Sequence, residues 1–89
     1  MRLYVAGDSP NSLTALTNVH GALQEHPGHH VTLEVIDVLQ EPEKGIRDGV
    51  VATPLLIRLE PPPERRVLGN LQDRGKLLGV LGLKSAPGE

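Results

Sequence analysis

Eighty-nine residues make one small domain, which buries only about 60% of the surface its unfolded chain exposes and so has modest stability, on the order of 5 kcal/mol. The chain has no Cys, Phe or Trp and a single Tyr, which excludes disulfides, thiolate catalysis and Cys-based zinc sites, and leaves no aromatic platform for stacking nucleobases. A net charge of −2 argues against a general nucleic-acid binder, no apolar run reaches the roughly 18 residues of a membrane helix, and Met1-Arg2 runs straight into a strand-like segment rather than a signal peptide, so a cytoplasmic protein is expected.

Residues 2–6 read as a short, mostly apolar strand from the middle of a sheet. Gly7-Asp8-Ser9-Pro10 breaks it. Ser9 can cap an orphan N–H, and Pro10 suits the first helical position because it lacks one. Leu13, Leu16, Val19 and Leu23 then fall on one helical face beside Ala15 and Ala22, with Ser12, Thr14, Asn18 and Gln24 turned elsewhere. Pro27-Gly28 ends the helix. Val31, Leu33 and Val35 alternate with Thr32 and Glu34, so residues 31–38 read as the second strand. Strand, helix and strand make a βαβ unit with parallel strands.

Glu41-Pro42-Glu43 opens a second helix, short because Gly45 and Gly49 flank Ile46, with its acids at the positive end of the helix dipole. Leu55 to Leu59 reads as a strand. Pro61-Pro62-Pro63 cannot donate to a ladder and must form a turn or a bulged edge. Val67-Leu68 makes a short strand closed by Gly69-Asn70. Leu71, Leu77, Leu78 and Leu81 keep helical spacing with Asn70 as candidate cap, but Gly75, Gly79 and Gly82 interrupt it at about 1 kcal/mol each relative to Ala. Ser85 to Glu89 read as a frayed tail beyond a domain of residues 1–84. The order is β-α-β-α-β-β-α. Its first half is locally consistent, whereas weak helices and proline-framed strands in the second half mark competing states.

Charge is uneven: residues 1–45 hold two bases and six acids, residues 46–89 seven bases and five acids. Ordinary surface scatter accounts for this, and so does a polar face turned to an oriented partner. Ser9 has no His at hand to activate it, since His20 lies far along the helix, so it reads as a cap and not a nucleophile. His26, His29 and His30 share a loop, but no thiol or carboxylate completes a ligand set, so a solvated loop is expected. Arg65 and Arg66 point to opposite faces of a strand, which prevents both from gripping one small anion, though either can meet a partner. Gly69-Asn70-Leu71 lacks the length and the Lys of a phosphate loop.

Three stretches carry a family resemblance. Leu3-Tyr4-Val5-Ala6-Gly7 with Pro10-Asn11-Ser12, then Val35-Ile36-Asp37-Val38-Leu39 with Pro42, then Ala52-Thr53-Pro54-Leu55-Leu56 with Pro61-Pro62-Pro63, Arg65-Arg66 and Gly69 follow in order at matching spacing. Together they resemble the KaiB family of cyanobacterial clock proteins and the sensor domain of a related kinase, over residues 2 to about 83. The resemblance implies an α/β, thioredoxin-like βαβαββα fold in the fold-switched KaiB form, or alternatively the KaiB ground-state βαββααβ fold. It implies no catalytic residue, cofactor or metal. It implies binding to the ring ATPase KaiC, capture of KaiA, a monomer in the thioredoxin-like state, and oligomers in the ground state. Thr53-Pro54 resembles the cis-proline of the thioredoxin fold. Pro54, Pro61, Pro62, Pro63, Gly69, Gly75, Gly79 and Gly82 are expected to have structural or switching roles. The partner surface is expected at the second strand, as a sheet edge with Thr32 and Glu34, beside Asp48, Gly49 and Val51, with Arg66. Glu34 and Gly49 stand where the clock proteins commonly carry Lys, and the acidic C-terminal extension of those proteins is absent, which points to a divergent member. A stand-alone sensor-like domain docking on a histidine kinase is the alternative; a redox or glutathione-type enzyme is opposed by the missing cysteines.

Overall fold

The computed structural model describes residues 1–83, in the order β1 (Arg2–Val5), α1 (Pro10–Gln24), β2 (Glu34–Asp37), α2 (Pro42–Arg47), β3 (Leu55–Arg58), β4 (Arg65–Leu68) and α3 (Arg74–Leu81). The expected tail, residues 85–89, lies outside the described residues. The strands form one sheet in the order β2-β1-β3-β4. β1 runs parallel to β2, with Arg2 opposite Glu34 and Tyr4 opposite Ile36. It runs antiparallel to β3, which pairs antiparallel with β4. The element order and the edge position of β2 are as the sequence predicts, and the mixed α/β sheet is of the thioredoxin-like kind.

Alternation along the strands divides the core into two. On one face Leu3, Val5 and Leu56 meet Ala15, Val19 and Ala22 of α1 and Leu77, Leu78 and Leu81 of α3. On the other, Tyr4, Ile36, Leu55 and Ile57 are covered by Val38 and Val50 around α2. β1 and β3 are central and buried from both sides, which is why their sequences are nearly continuous in apolar residues.

Several local expectations change. The second strand is Glu34–Asp37, not residues 31–38, because β1 begins at Arg2 and offers no ladder further back. Val31 and Leu33 pack against the core from partly buried positions instead. In α1 the small Ser12 is buried and Leu13 is half exposed. The first turn lies close against the end of β1, where the Ser12 hydroxyl accepts the Ala6 N–H at 3.1 Å and so is satisfied when buried. Ser9 is the N-cap, its side chain accepting from the Ser12 N–H. β4 begins at Arg65, earlier than Val67, since Arg65 pairs directly with Arg58 across the proline turn.

The last helix starts later than Leu71. Asp73, not Asn70, is its cap, accepting from the Lys76 N–H. Asn70 instead accepts from Gln72 N–H, and Leu71 turns through a positive φ of 63° to bury its side chain. Of the three glycines read as helix interruptions, Gly82 sits after the last turn with φ 75°, where a left-handed residue ends a helix. The penalty inside α3 therefore falls on Gly75 and Gly79 alone. The Thr53–Pro54 bond is cis, as are Glu60–Pro61 and Pro62–Pro63.

Candidate functional site: a charged and apolar face around Asp48

β1 places Arg2 and Tyr4 on the same face of the sheet, two residues apart, and α2 ends above them at Asp48. The Tyr4 ring is fully buried, so its hydroxyl needs a partner. It donates to Asp48 Oδ2 at 2.5 Å, with the Lys44 carbonyl oxygen at 3.0 Å as a second acceptor. Arg2 Nη1 donates to the same carboxylate, at 3.0 Å to Oδ2 and 3.3 Å to Oδ1. Arg66 arrives from β4 and donates through Nη2 to the Asp48 backbone carbonyl at 2.6 Å, while its Nε holds Glu64 at 2.9 Å. Two strands, β1 and β4, and the end of α2 thus converge on one aspartate.

The charges continue outward to the β2 edge. Arg2 Nε lies 3.4 Å from Glu34, and Lys44 Nζ bridges Glu34 at 3.7 Å and Glu41 at 3.0 Å. Burial pushes the Tyr4 phenol up to about 12, reinforced by its hydrogen bond to Asp48 and by that carboxylate's charge. The Tyr4 hydrogen bond holds the Asp48 carboxyl below its ordinary value; desolvation opposes this and Arg2 assists it. The exposed pairs contribute little to stability on their own. The network around Asp48 fixes the end of α2 against the sheet.

Beside this network the surface turns apolar. Val51 is 98% exposed and Ile46 80%, and Leu39 is also largely exposed. A shallow groove of about 230 Å³ runs beside Ile46 and Val51, lined by Val38, Pro42, Gly45 and Val50 among others. Gly45 keeps it open and lets α2 lie close: an added Cβ would come within 3.2 Å of Val38 Cγ1. Gly49, at φ 69°, makes the turn that leads out of α2 to Val51.

Of the residues expected to meet a partner, the fold brings Glu34, Asp48, Gly49 and Arg66 to one face, with Val51 along its rim. Thr32 stands apart. It precedes β2, its carbonyl takes the Met1 amino group at 2.7 Å, and it borders a different hollow with His29, His30 and Glu60. The sequence reading missed Tyr4, Arg2 and Lys44. The signal available was a lone Tyr in a central strand, whose hydroxyl must find an acceptor if the ring is buried. The histidine loop shows His26 Nδ1 against the Ala22 carbonyl oxygen at 2.8 Å, and the described residues include no cluster of three metal-ligating groups.

Where a thioredoxin holds its redox pair, this sheet presents Ser9 and Ser12, tied to each other and to the backbone by hydrogen bonds. A thioredoxin-like sheet with that loop, and with a mixed charged and apolar face at α2, defines an interaction module. A family model described as the KaiB domain matches residues 2–83. The circadian clock oscillator protein KaiB of one Prochlorococcus marinus strain is 45% identical over 83 residues, covering 93% of this chain and 71% of the relative. That of Microcystis aeruginosa is 44% identical, with 93% and 80% covered; that of a Cyanothece strain is 42% identical, with 93% and 79% covered. The chain belongs to the KaiB family of non-enzymatic protein-interaction modules. Among the described residues no helix is long and apolar enough to cross a membrane.

Proposed function

We propose that this protein is a cytoplasmic docking module that binds a KaiC-like ring ATPase in its thioredoxin-like, fold-switched form and thereby regulates a circadian, timing or stress system. The observation that carries this is the juxtaposition on one face of the Asp48 charge network with the exposed Ile46 and Val51. Fixed charges orient a partner, and desolvated apolar side chains supply affinity. Glu34, Asp48, Gly49, Val51 and Arg66 form the contact surface, and Thr32, ahead of β2, lies outside it. Among the described residues no strand pairs with the outer edge of β2, and a KaiA-like protein captured in the complex adds there. Residues 1–84 act as one domain, monomeric in this form and able to form a homo-oligomer in the ground-state fold. The switch between folds rebuilds the segment held by Pro54, Pro61, Pro62, Pro63, Gly69, Gly75, Gly79 and Gly82. Occupancy of the competent form sets apparent affinity.

A second reading draws on Glu34. It places an acid, already engaged by Arg2 and Lys44, where clock proteins commonly present Lys. That change favours a divergent member docking as a sensor-like domain on a histidine kinase, with no clock role. Pull-down with a KaiC-like ring ATPase in its ATP and ADP states tests the first reading. Retention in one nucleotide state supports it. Retention in neither, with capture by the kinase, replaces it with the second.

A further inference from the structure

At the opposite edge of the sheet, Arg58, Arg65 and Lys76 gather without an ion pair to any described residue. Arg58 is about nine-tenths buried, yet its guanidinium meets only the Val80 carbonyl at 3.5 Å and the Pro63 carbonyl at 3.2 Å, and its Nε has no hydrogen-bond partner. Neutral carbonyls satisfy donors but do not compensate a buried charge. Directly across the ladder from Arg58 stands Arg65, a like charge in the position where pairing is unfavourable. Arg65 and Lys76 make no ion pair with any described residue, and both line a cavity of about 490 Å³ between β4 and α3, with Val67, Gly79 and Val80.

Among the described residues, no strand pairs with β4 on this side either. The Gly69 N–H bonds the Pro54 carbonyl at 2.9 Å. Opposed residues of an antiparallel pair alternate between bonded and non-bonded. Leu56 with Val67 and Arg58 with Arg65 are therefore the bonded pairs, and Arg66 and Leu68 turn their N–H and C=O groups outward. Side chains alternate likewise. Arg65 and Val67 face α3, while Leu68, 62% exposed, and Arg66 face the α2 side.

We infer that the β4 edge is a second docking site, distinct from the α2 face, which takes an extended acidic peptide by strand addition, its carboxylates meeting Arg65 and Lys76 in the cavity and its alternate apolar side chains covering Leu68. Charge complementarity selects the partner. The outward backbone groups of Arg66 and Leu68 supply the ladder, as in other complexes formed by adding a strand to a sheet edge. Buried Arg58, bonded to the Val80 carbonyl, adds a positive charge that no described carboxylate pairs with.

Amide spectra of the labelled protein, titrated with a capped peptide of alternating glutamate and valine, test this. Saturable shifts at Arg66 and Leu68 are expected, with no response to the alternating lysine and valine peptide. The exposed double variant Arg65→Glu/Lys76→Glu should weaken binding at least about tenfold. Leu68→Pro, which removes an outward N–H and spares the β3 ladder, should weaken it as well, with circular dichroism confirming the fold. Failure to saturate, equal response to both peptides, or undiminished binding by the variants overturns the proposal. So does displacement of the peptide by tripolyphosphate that moves the same amides, which would assign the cations to a small anion.

Discussion

The Tyr4 hydroxyl lies 2.5 Å from Asp48 Oδ2, joining the only aromatic side chain of the protein to the end of α2. Tyr4 is held from below by the central strand β1, and Asp48 is gripped by Arg2 through its carboxylate and by Arg66 through its carbonyl. The apolar surface of α2 is thereby presented at a fixed height above the β2 edge.

Tyr4→Phe removes a hydrogen bond to a charged acceptor while keeping the ring's packing. The expected loss is about 1.5–3 kcal/mol, read as a lower urea midpoint with an unchanged slope. Asp48→Asn should cost a similar amount, and the double variant less than the sum, because the two side chains share one interaction.

Stability should fall at both ends of the pH scale through this pair. The folded Asp48 carboxyl titrates below its unfolded value, so its contribution is complete above about pH 4 and is lost as pH falls through the folded value. The Tyr4 phenol is raised to about 12, so its contribution is complete below the unfolded value of about 10 and is lost as pH rises from there to about 12. Tyr4 is the only tyrosine, so tyrosinate absorbance follows one group: titration near 12 when folded, and about two units lower in denaturant. A folded-state titration near 10 would contradict the Tyr4–Asp48 geometry.

The first half of this fold was legible because local and global preferences agree there. Ser9 and Pro10 mark a helix start that the structure keeps, and the apolar run of β1 needs two covered faces. The errors arise where tertiary contacts decide. Leu13 lost its place in the core to Ser12 because the start of α1 lies too close to β1 for a large side chain. Asn70 and Asp73 are both good caps in sequence, and Leu71 decides between them by entering the core ahead of the helix. At the site, Asp48 and Arg66 follow from the family resemblance as partner residues, but the bond of Asp48 to Tyr4 does not. A hydrogen bond between residues 44 positions apart has no sequence period.

Gly79→Ala should stabilise the protein by about 1 kcal/mol, through helix propensity alone. An added Cβ at Gly79 meets nothing within 4 Å, so no repacking opposes it. The thermal midpoint should rise by several degrees. If the chain exchanges between two folds, the same substitution favours the one that holds α3 and raises the fraction competent for the ATPase.

Val51→Asp and Ile46→Asp separate binding from folding. Both side chains are exposed, so stability should change by no more than about 0.5 kcal/mol. Burying either aspartate in an apolar contact is costly, and affinity for a KaiC-like ATPase should drop at least about tenfold. Calorimetric titration with the two variants checks this; unchanged affinity would move the interface away from α2.

Docking through the α2 face in the thioredoxin-like arrangement is open to backbone NMR of the labelled protein with a KaiC-like ring ATPase present. Strand shifts are expected at Arg65–Leu68 and helical shifts at Arg74–Leu81, with intensity loss concentrated at Glu34, Asp48, Gly49, Val51 and Arg66. Helical shifts at 65–68 with extended ones at 74–81, or intensity loss that leaves Asp48 to Val51 untouched, would contradict it.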